Sequence, residues 1–407
     1  MKVVVFLGDG MADEPNAVFG GKTALDASNH PHMDALASRA ALFGMVKTVP
    51  KSLPAGSDVA NLSAMGYDPV RCYSGRSPLE AASMGIELNV GDVAYRCNMV
   101  TLSQADKLED ATMVDYSAGE ISTQESHELI ASLQGLVGES KMLAPGVSYR
   151  HCLVLRGAQT GANLTPPHDI SGKPVRDYLP SGQNAALLMG LMEKAYAMLA
   201  DHPVNKARRA AGQNDANAIW FWGEGTKPEL PDFQASFGIP GGVISAVDLL
   251  KGIGKCAGMR VIDVQGATGN YHTNFRGKGE AAIAALQSGC DYVYIHVEAP
   301  DECGHQNQPD KKVYSIEQID EQVVAPVMEY LENCGEDWAV LLMPDHPTPL
   351  ALGTHTKTPV PFVLCRKSDA NAHNIRYTEA NAEATGVYVP AAHELLPYMV
   401  FQKTDIF

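Results

Sequence analysis

The sequence contains no Cys-x-x-Cys pair, no excess of basic residues, no long apolar run and no low-complexity tract. Each absence removes a class of protein. Eight cysteines (Cys72, Cys97, Cys152, Cys256, Cys290, Cys303, Cys334 and Cys365) are scattered along the chain. They read as reduced structural thiols, not as a zinc ribbon or a disulfide frame. No stretch approaches the ~18 apolar residues that a spanning helix needs, so a membrane is not expected. The opening M-K-V-V-V-F-L-G-D-G has five apolar residues before Gly8-Asp9-Gly10, too few for a signal core, and a cytoplasmic chain is expected. With 31 Lys and Arg against 47 Asp and Glu, the net charge of −16 excludes nucleic acid or an anionic membrane as partner. A small anion is not excluded, because metals or a few arginines reverse the sign locally.

What is present describes a folded chain. At 407 residues, 45% hydrophobic and 19% charged, it exceeds the usual size of one core, so two domains are expected. V3-V-V-F-L7 is a wholly apolar run, as in a buried parallel strand. Similar runs recur as I219-W-F-W222, V261-I-D-V264, Y292-V-Y-I-H-V297, A339-V-L-L-M343 and F362-V-L364. Helical patterns from Ser245, Gly279 and Ile316 lie between the later runs, and strands alternating with helices predict a mostly parallel, doubly wound α/β sheet. The middle breaks that rhythm, with turn residues crowding T165-P-P-H-D-I-S-G-K173 and a polar loop expected at R208-R-A-A-G212. The expected organisation is a discontinuous core, residues 1–76 and 183–407, interrupted by a smaller α+β domain at 77–182.

Acids and histidines gather where predicted strands end. Asp9 follows the first run, Asp301 and His305 follow Y292–V297, and Asp345 and His346 follow A339–M343, with His355 nine residues on. In an open parallel sheet, ligands bind beyond the strand C-termini. Taken singly, Asp9 suits a turn, and Asp301 with His305 suits an i,i+4 ion pair. Ser57, in P54-A-G-S-D-V-A-N-L-S63, suits either an N-cap or a nucleophile at a helix N-terminus, where backbone N–H groups greet phosphate. Six other histidines, His30, His32, His127, His202, His373 and His393, read as surface residues. Jointly, three carboxylates, three imidazoles and a serine form an oxygen and nitrogen set suited to two divalent ions. Two ions about 4 Å apart clamp an in-line phosphoryl displacement, and a metal on the serine oxygen makes an alkoxide available. Mn²⁺ is favoured, with Zn²⁺, Co²⁺ or Mg²⁺ as alternatives.

The motifs G8-D-G-M11, H32-M-D34, P54-A-G-S-D58, G66-Y-D-P69, S74-G-R-S-P78, G91-D-V-A-Y-R-C-N98, D301-E-C-G-H305, D345-H-P-T-P349 and T354-H-T356 resemble the alkaline phosphatase superfamily. Within it they resemble the archaeal type of cofactor-independent phosphoglycerate mutase, over nearly the whole chain. The resemblance implies an alkaline-phosphatase-like core and an inserted lid that binds substrate. It implies one metal on Asp9, Ser57, Asp345 and His346, another on Asp301, His305 and His355, and a phosphoserine at Ser57. It also implies a glycolytic isomerisation of 3- and 2-phosphoglycerate that needs no 2,3-bisphosphoglycerate. Cations expected to hold the small anionic substrate are Arg76, Arg96, Arg150 and Lys227, with His168 as an acid/base.

One segment departs from the pattern. M113-V-D-Y-S-A-G-E-I121 has no arginine where mutases of this type tend to be arginine-rich, and G269-N-Y-H-T-N274 also differs. These changes resemble a branch proposed as homoserine kinases, so transfer to homoserine or another small hydroxyl compound is a competing expectation. A phosphomonoesterase is a third.

Overall fold

A strand with no exposed residue needs cover on both faces, and the first strand has that cover: all seven of its residues are buried. In the computed structural model, which describes residues 1–401, the strands in chain order are β1 (Lys2–Gly8), β2 (Leu42–Val46), β3 (Val93–Leu102), β4 (Met113–Asp115), β5 (Lys141–Ala144), β6 (Arg150–Leu155), β7 (Ala162–Asn163), β8 (Ser181–Gly182), β9 (Ala218–Thr226), β10 (Gly241–Ile244), β11 (Arg260–Ile262), β12 (Tyr292–Val297), β13 (Trp338–Met343), β14 (Val360–Arg366) and β15 (Tyr388–Val389). The chain divides into two compact units, one comprising Met1–Tyr73 and the chain from Glu229 onward, the other Ser74–Pro228.

The first unit is built on an eight-stranded sheet in the order β11-β10-β12-β1-β13-β14-β2-β15. Strands β11, β10, β12, β1 and β13 are parallel neighbours, while β14 runs antiparallel to β13 and β2. This is the mostly parallel α/β sheet expected from the sequence. Helices Asp248–Cys256 and Phe275–Gln287 fall where the spacing predicts them. The long pattern from Ile316 is instead two helices, Pro309–Ile319 and Ala325–Asn333, joined through a π-turn at Asp320–Val324. The turn brings Asp320 to the start of helix Pro31–Arg39, where its carboxylate accepts from His32 N and Met33 N. That acidic cap satisfies donors a helix start leaves open.

The second unit is antiparallel. Its β3 pairs with β6 on one side and β9 on the other, β5 extends the sheet beyond β6, and β4 pairs with β3. The run Ile219–Trp222 therefore belongs here, not in the parallel sheet, since an apolar run alone does not tell one kind of buried strand from the other. The expected boundary at 182/183 falls short for the same reason. Helix Ala185–Leu199 buries Leu188, Met192 and Leu199 in one apolar cluster with Tyr95, Leu153 and Trp220, so the unit extends to Pro228. Arg76 and Lys227, on the core side of the expected boundaries, lie in this unit. The polar loop expected at 208–212 is largely helix, Pro203–Ala210, and Arg208 is buried, with its guanidinium on Ala118 O, Asn214 O and Glu125.

Candidate active site

Three neighbouring parallel strands set the geometry. β12, β1 and β13 lie side by side with Gly8 opposite Val297 and Leu7 opposite Met343. The segments leaving their C-terminal ends carry Asp9, Asp301 with His305, and Asp345 with His346. Gly10 permits the close approach: at φ +59°, a Cβ here would sit 2.6 Å from both Asp301 Oδ1 and Thr348 Oγ1. Its N–H donates to Asp345 Oδ1 at 3.1 Å.

Ser57 is the first residue of helix Ser57–Ala64, and Gly56 occupies the N-cap with no side-chain cap bond. The capping reading of Ser57 is thereby set aside. Its Oγ lies 3.1 Å from His346 Nε2. That nitrogen is also 3.5 Å from Asp9 Oδ1 and 3.3 Å from Asp345 Oδ2.

Donor atoms of Asp9, Asp345 and His346 all lie within 4.8 Å of one another, and so do those of Asp301, His346 and His355. His346 thus stands between the two groups, its ring stacked 3.9 Å from that of His355. His305 completes the second group, with Nε2 at 2.9 Å from His355 Nε2 and 3.3 Å from Asp301 Oδ2. Its Nδ1 faces Gly353 O at 2.9 Å, which places the proton of a neutral ring there and turns the Nε2 lone pair toward its neighbours.

Three observations fit this set to divalent cations. Asp9 Oδ1 is buried with no hydrogen-bond partner, an arrangement costly for a carboxylate without a cation. Burial, then Asp345 and Asp301, push Asp9 well above the usual carboxylate range. Two imidazole Nε2 atoms also converge on one carboxylate. The donors are oxygen and nitrogen without thiolate, which suits Mn²⁺ or Zn²⁺.

Behind these donors stand residues that sequence reasoning missed. His296 lies 3.0 Å from Asp9 Oδ2 and 3.2 Å from Glu298 Oε1. Burial works to lower its pKa, but Glu298 and Asp9 more than offset this and push it up to about 10. Lys278, with no exposure, donates to Glu298 Oε2 at 2.7 Å and His296 O at 2.8 Å. On the other side Thr348 donates to Asp301, and the equally buried Lys312 donates to Thr348 O at 2.8 Å and Asp13 Oδ2 at 2.8 Å. Each group of candidate ligands is backed by a buried lysine. Another correction concerns His30, expected at the surface. It has no exposure, and its ring is held by Ser28 Oγ and Tyr377 O.

The second unit gathers the opposite charge. Glu80 accepts from Arg76 Nε at 3.0 Å and Arg96 Nε at 2.9 Å. Burial works to raise Glu80, but the two guanidiniums hold it below the usual range. The Arg96 guanidinium lies 4.1 Å over the Trp222 ring, and burial brings it down to about 10 against the pull of Glu80. His168 meets Trp222 edge-on at 5.3 Å and Tyr116 at 6.0 Å. Arg150 stacks 4.8 Å over Tyr149, which in turn meets Tyr116. Arg76, Arg96, Arg150 and His168 therefore belong to one cationic and aromatic cluster, with Arg96 and Trp222 buried at its centre. Lys227 is exposed and stands outside these contacts.

Known proteins resemble the chain over most of its length. A family model described as 2,3-bisphosphoglycerate-independent phosphoglycerate mutase matches residues 37–205. A Geobacter sulfurreducens protein named as a probable mutase of that kind is 49% identical over 402 residues, covering 98% of this chain and 100% of that one. A Methanothrix thermoacetophila protein named as the same mutase is 51% identical over 364 residues, covering 89% of this chain and 90% of that one. Among solved structures, the PH0037 protein from Pyrococcus horikoshii superposes with a TM-score of 0.81 at 28% identity, covering 100% of this chain and 98% of that one.

Proposed function

Since the chain belongs to the family of 2,3-bisphosphoglycerate-independent phosphoglycerate mutases, we propose that it interconverts 3-phosphoglycerate and 2-phosphoglycerate through a phosphoserine at Ser57. The observation that carries this reading is the placement of Ser57 Oγ 3.1 Å from His346 Nε2, at the head of a helix and beside two groups of candidate ligands. Asp9, Ser57, Asp345 and His346 would hold one divalent ion, and Asp301, His305 and His355 the other, with Mn²⁺ the favoured metal. When bound, the ions lower the pKa of the serine hydroxyl and neutralise charge gathering on the phosphoryl oxygens.

The rest belongs to the chain. Ser57 Oγ gives up its proton and forms a bond to phosphorus as the bond to the C3 oxygen breaks, and that oxygen takes a proton. The glycerate turns without leaving. Its C2 hydroxyl then gives up its proton and bonds to phosphorus as the bond from phosphorus to Ser57 Oγ breaks, and Oγ takes a proton back. At the Ser57 end of the helix the Val59 N–H is taken by Asp58 Oδ1 and the Ala60 N–H by Gly56 O, so the N–H groups of Ser57 and Asp58 are the ones at the helix start offered to a dianion. The inserted unit serves as the substrate-binding lid. Arg76, Arg96 and Arg150 offer charge for the substrate carboxylate, and Lys227 a further cation. His168, lowered chiefly by burial with Arg96 and Arg76 adding to it, would be the acid/base. A cytoplasmic setting belongs to the same proposal. Separately, no helix among the described residues is long and apolar enough to cross a membrane.

The homoserine-kinase expectation finds no support. Relatives matching over most of the chain carry the mutase name, and the arginine-free segment 113–121 has a structural explanation. Asp115 accepts from Ser117 N, Ser117 Oγ and Gly119 N within the stretch and from Asn214 Nδ2 outside it, so the segment is a turn held by its own carboxylate.

The test is an enolase-coupled assay on metal-stripped protein supplied with Mn²⁺ and 3-phosphoglycerate, with Ser57→Ala as control. Turnover on the order of 10 per second, absent from Ser57→Ala, is expected. Undiminished turnover in that variant would refute the phosphoserine route.

A further inference from the structure

One buried polar side chain on the Ser57 helix connects elements that are far apart in sequence. Asn61 follows Ser57 by four residues, one turn along the same face, and has no solvent exposure. Its Nδ2 donates to Ser57 O at 2.8 Å and to Asp345 Oδ2 at 2.8 Å. Its Oδ1 accepts from the Tyr294 hydroxyl at 2.6 Å, and Tyr294 is itself fully buried in β12. Both amide protons and the amide oxygen are therefore engaged. The flipped amide would set its oxygen against a carbonyl and a carboxylate, and its NH₂ against a phenol. The Ser57 carbonyl and the Asp345 carboxylate, which only accept, therefore select the orientation in which Asn61 holds them together, and the Tyr294 hydroxyl satisfies the amide oxygen left over.

A residue needed only to secure the helix would have use for the first of these bonds alone. The second reaches across 284 residues of sequence to the carboxylate at the end of β13. We infer that Asn61 is a positioning residue that fixes the backbone of Ser57 against Asp345, so that Ser57 Oγ is held in line for attack, with the Tyr294 hydroxyl bracing the amide through its oxygen. Asp345 is also oriented through its other oxygen, which accepts from Gly10 N at 3.1 Å and His346 N at 2.8 Å. Asn61 thus completes the fixing of this carboxylate and adds the serine to the same rigid group. The inference rests on the phosphoserine reading above.

It is tested by measuring kcat, KM for 3-phosphoglycerate, bound Mn²⁺ per chain and melting temperature for Asn61→Ala, Tyr294→Phe and Ser57→Ala. A displaced nucleophile costs turnover and not ground-state binding. Asn61→Ala is therefore expected to lose ~10²-fold in kcat with KM and bound Mn²⁺ unchanged. Tyr294→Phe, which keeps the ring and loses only the hydroxyl, should move kcat the same way by less. A wild-type kcat in Asn61→Ala, beside an inactive Ser57→Ala, would overturn the inference alone. Turnover surviving in Ser57→Ala would overturn the phosphoserine reading and the inference with it. Should Asn61→Ala melt below the assay temperature, Tyr294→Phe decides: a lower kcat at unchanged KM supports the role, and an unchanged kcat ends it.

Discussion

The two units gather charge in opposite senses. In the parallel unit, Asp9, Asp301 and Asp345 crowd together with imidazoles among them, and the carboxylate most deprived of partners, Asp9, is raised by burial and by the other two acids. In the antiparallel unit, Arg76 and Arg96 share the one carboxylate of Glu80. The first constellation calls for cations and the second for an anion. The backbone follows the same division. Parallel strands present loops at one common edge, suited to assembling ligands from distant parts of the chain. Antiparallel β3, β6 and β9 set Arg96, Arg150 and Trp222 on adjacent strands, suited to a continuous recognition surface. The contrast teaches that one chain gathers acids and imidazoles on one architecture and guanidiniums on another, a separation that the proposed division into reaction and recognition would use.

The strongest way to break this comparison is to remove the residue that stands in both ligand groups. His346→Ala should lower kcat by ~10³-fold or more and reduce bound Mn²⁺ from about two ions per chain, while the far-ultraviolet circular dichroism stays native. His355→Ala, which touches one group only, should leave about one ion bound. If His346→Ala bound two ions and lost only affinity for substrate, the assignment of chemistry to the parallel unit would be wrong.

A smaller effect is expected on the other side. Arg96→Ala should raise KM for 3-phosphoglycerate by ~10- to 100-fold, since a charge-assisted contact contributes about 1.5–3 kcal/mol, with bound Mn²⁺ unchanged. Loss of metal from Arg96→Ala would contradict the division of labour, as would a fall in kcat at constant KM.

Much of the parallel unit was legible in the sequence, for a physical reason. Strand-end acids next to apolar runs leave a pattern, so Asp9, Asp301, His305, Asp345, His346 and His355 could be picked out before their neighbours were known. The supporting residues left no such pattern. Lys278 and Lys312 look like ordinary helix lysines, and only the fold shows each wholly buried against a carboxylate. His296 sits inside an apolar strand run. Asn61 carried a weak signal, one turn from the serine, which the capping question obscured. The antiparallel unit was less legible because a buried apolar run such as Ile219–Trp222 reads alike in either kind of sheet, and because β4, β7 and β8 are only two or three residues long. Hence the boundary set at 182, when helix Ala185–Leu199 packs on the inserted sheet and carries it to Pro228.

The smallest effect sharpens the comparison through acid stability. His151 lies on β6 of the antiparallel unit, accepts from Gly146 N through Nδ1, and has a buried Nε2 with no partner. Burial, with His127 adding to it, lowers its pKa from 6.5 to about 3. The folded unit therefore keeps this ring neutral at a pH where the unfolded chain already protonates it. Between 6.5 and about 3 the unfolded state binds more protons, so stability is full above 6.5 and falls as the pH drops through that window. The slope approaches about 1.4 kcal/mol per pH unit once the unfolded ring is fully charged. Urea unfolding read by hydrogen exchange at the β3 and β6 amides, from pH 7 to pH 5, should show the antiparallel unit weakening across this range. His151→Gln keeps an acceptor for Gly146 N–H and removes the titration, so its stability should decline less over the same interval. An equal decline in the variant and the parent would assign the acid sensitivity of this unit to other groups.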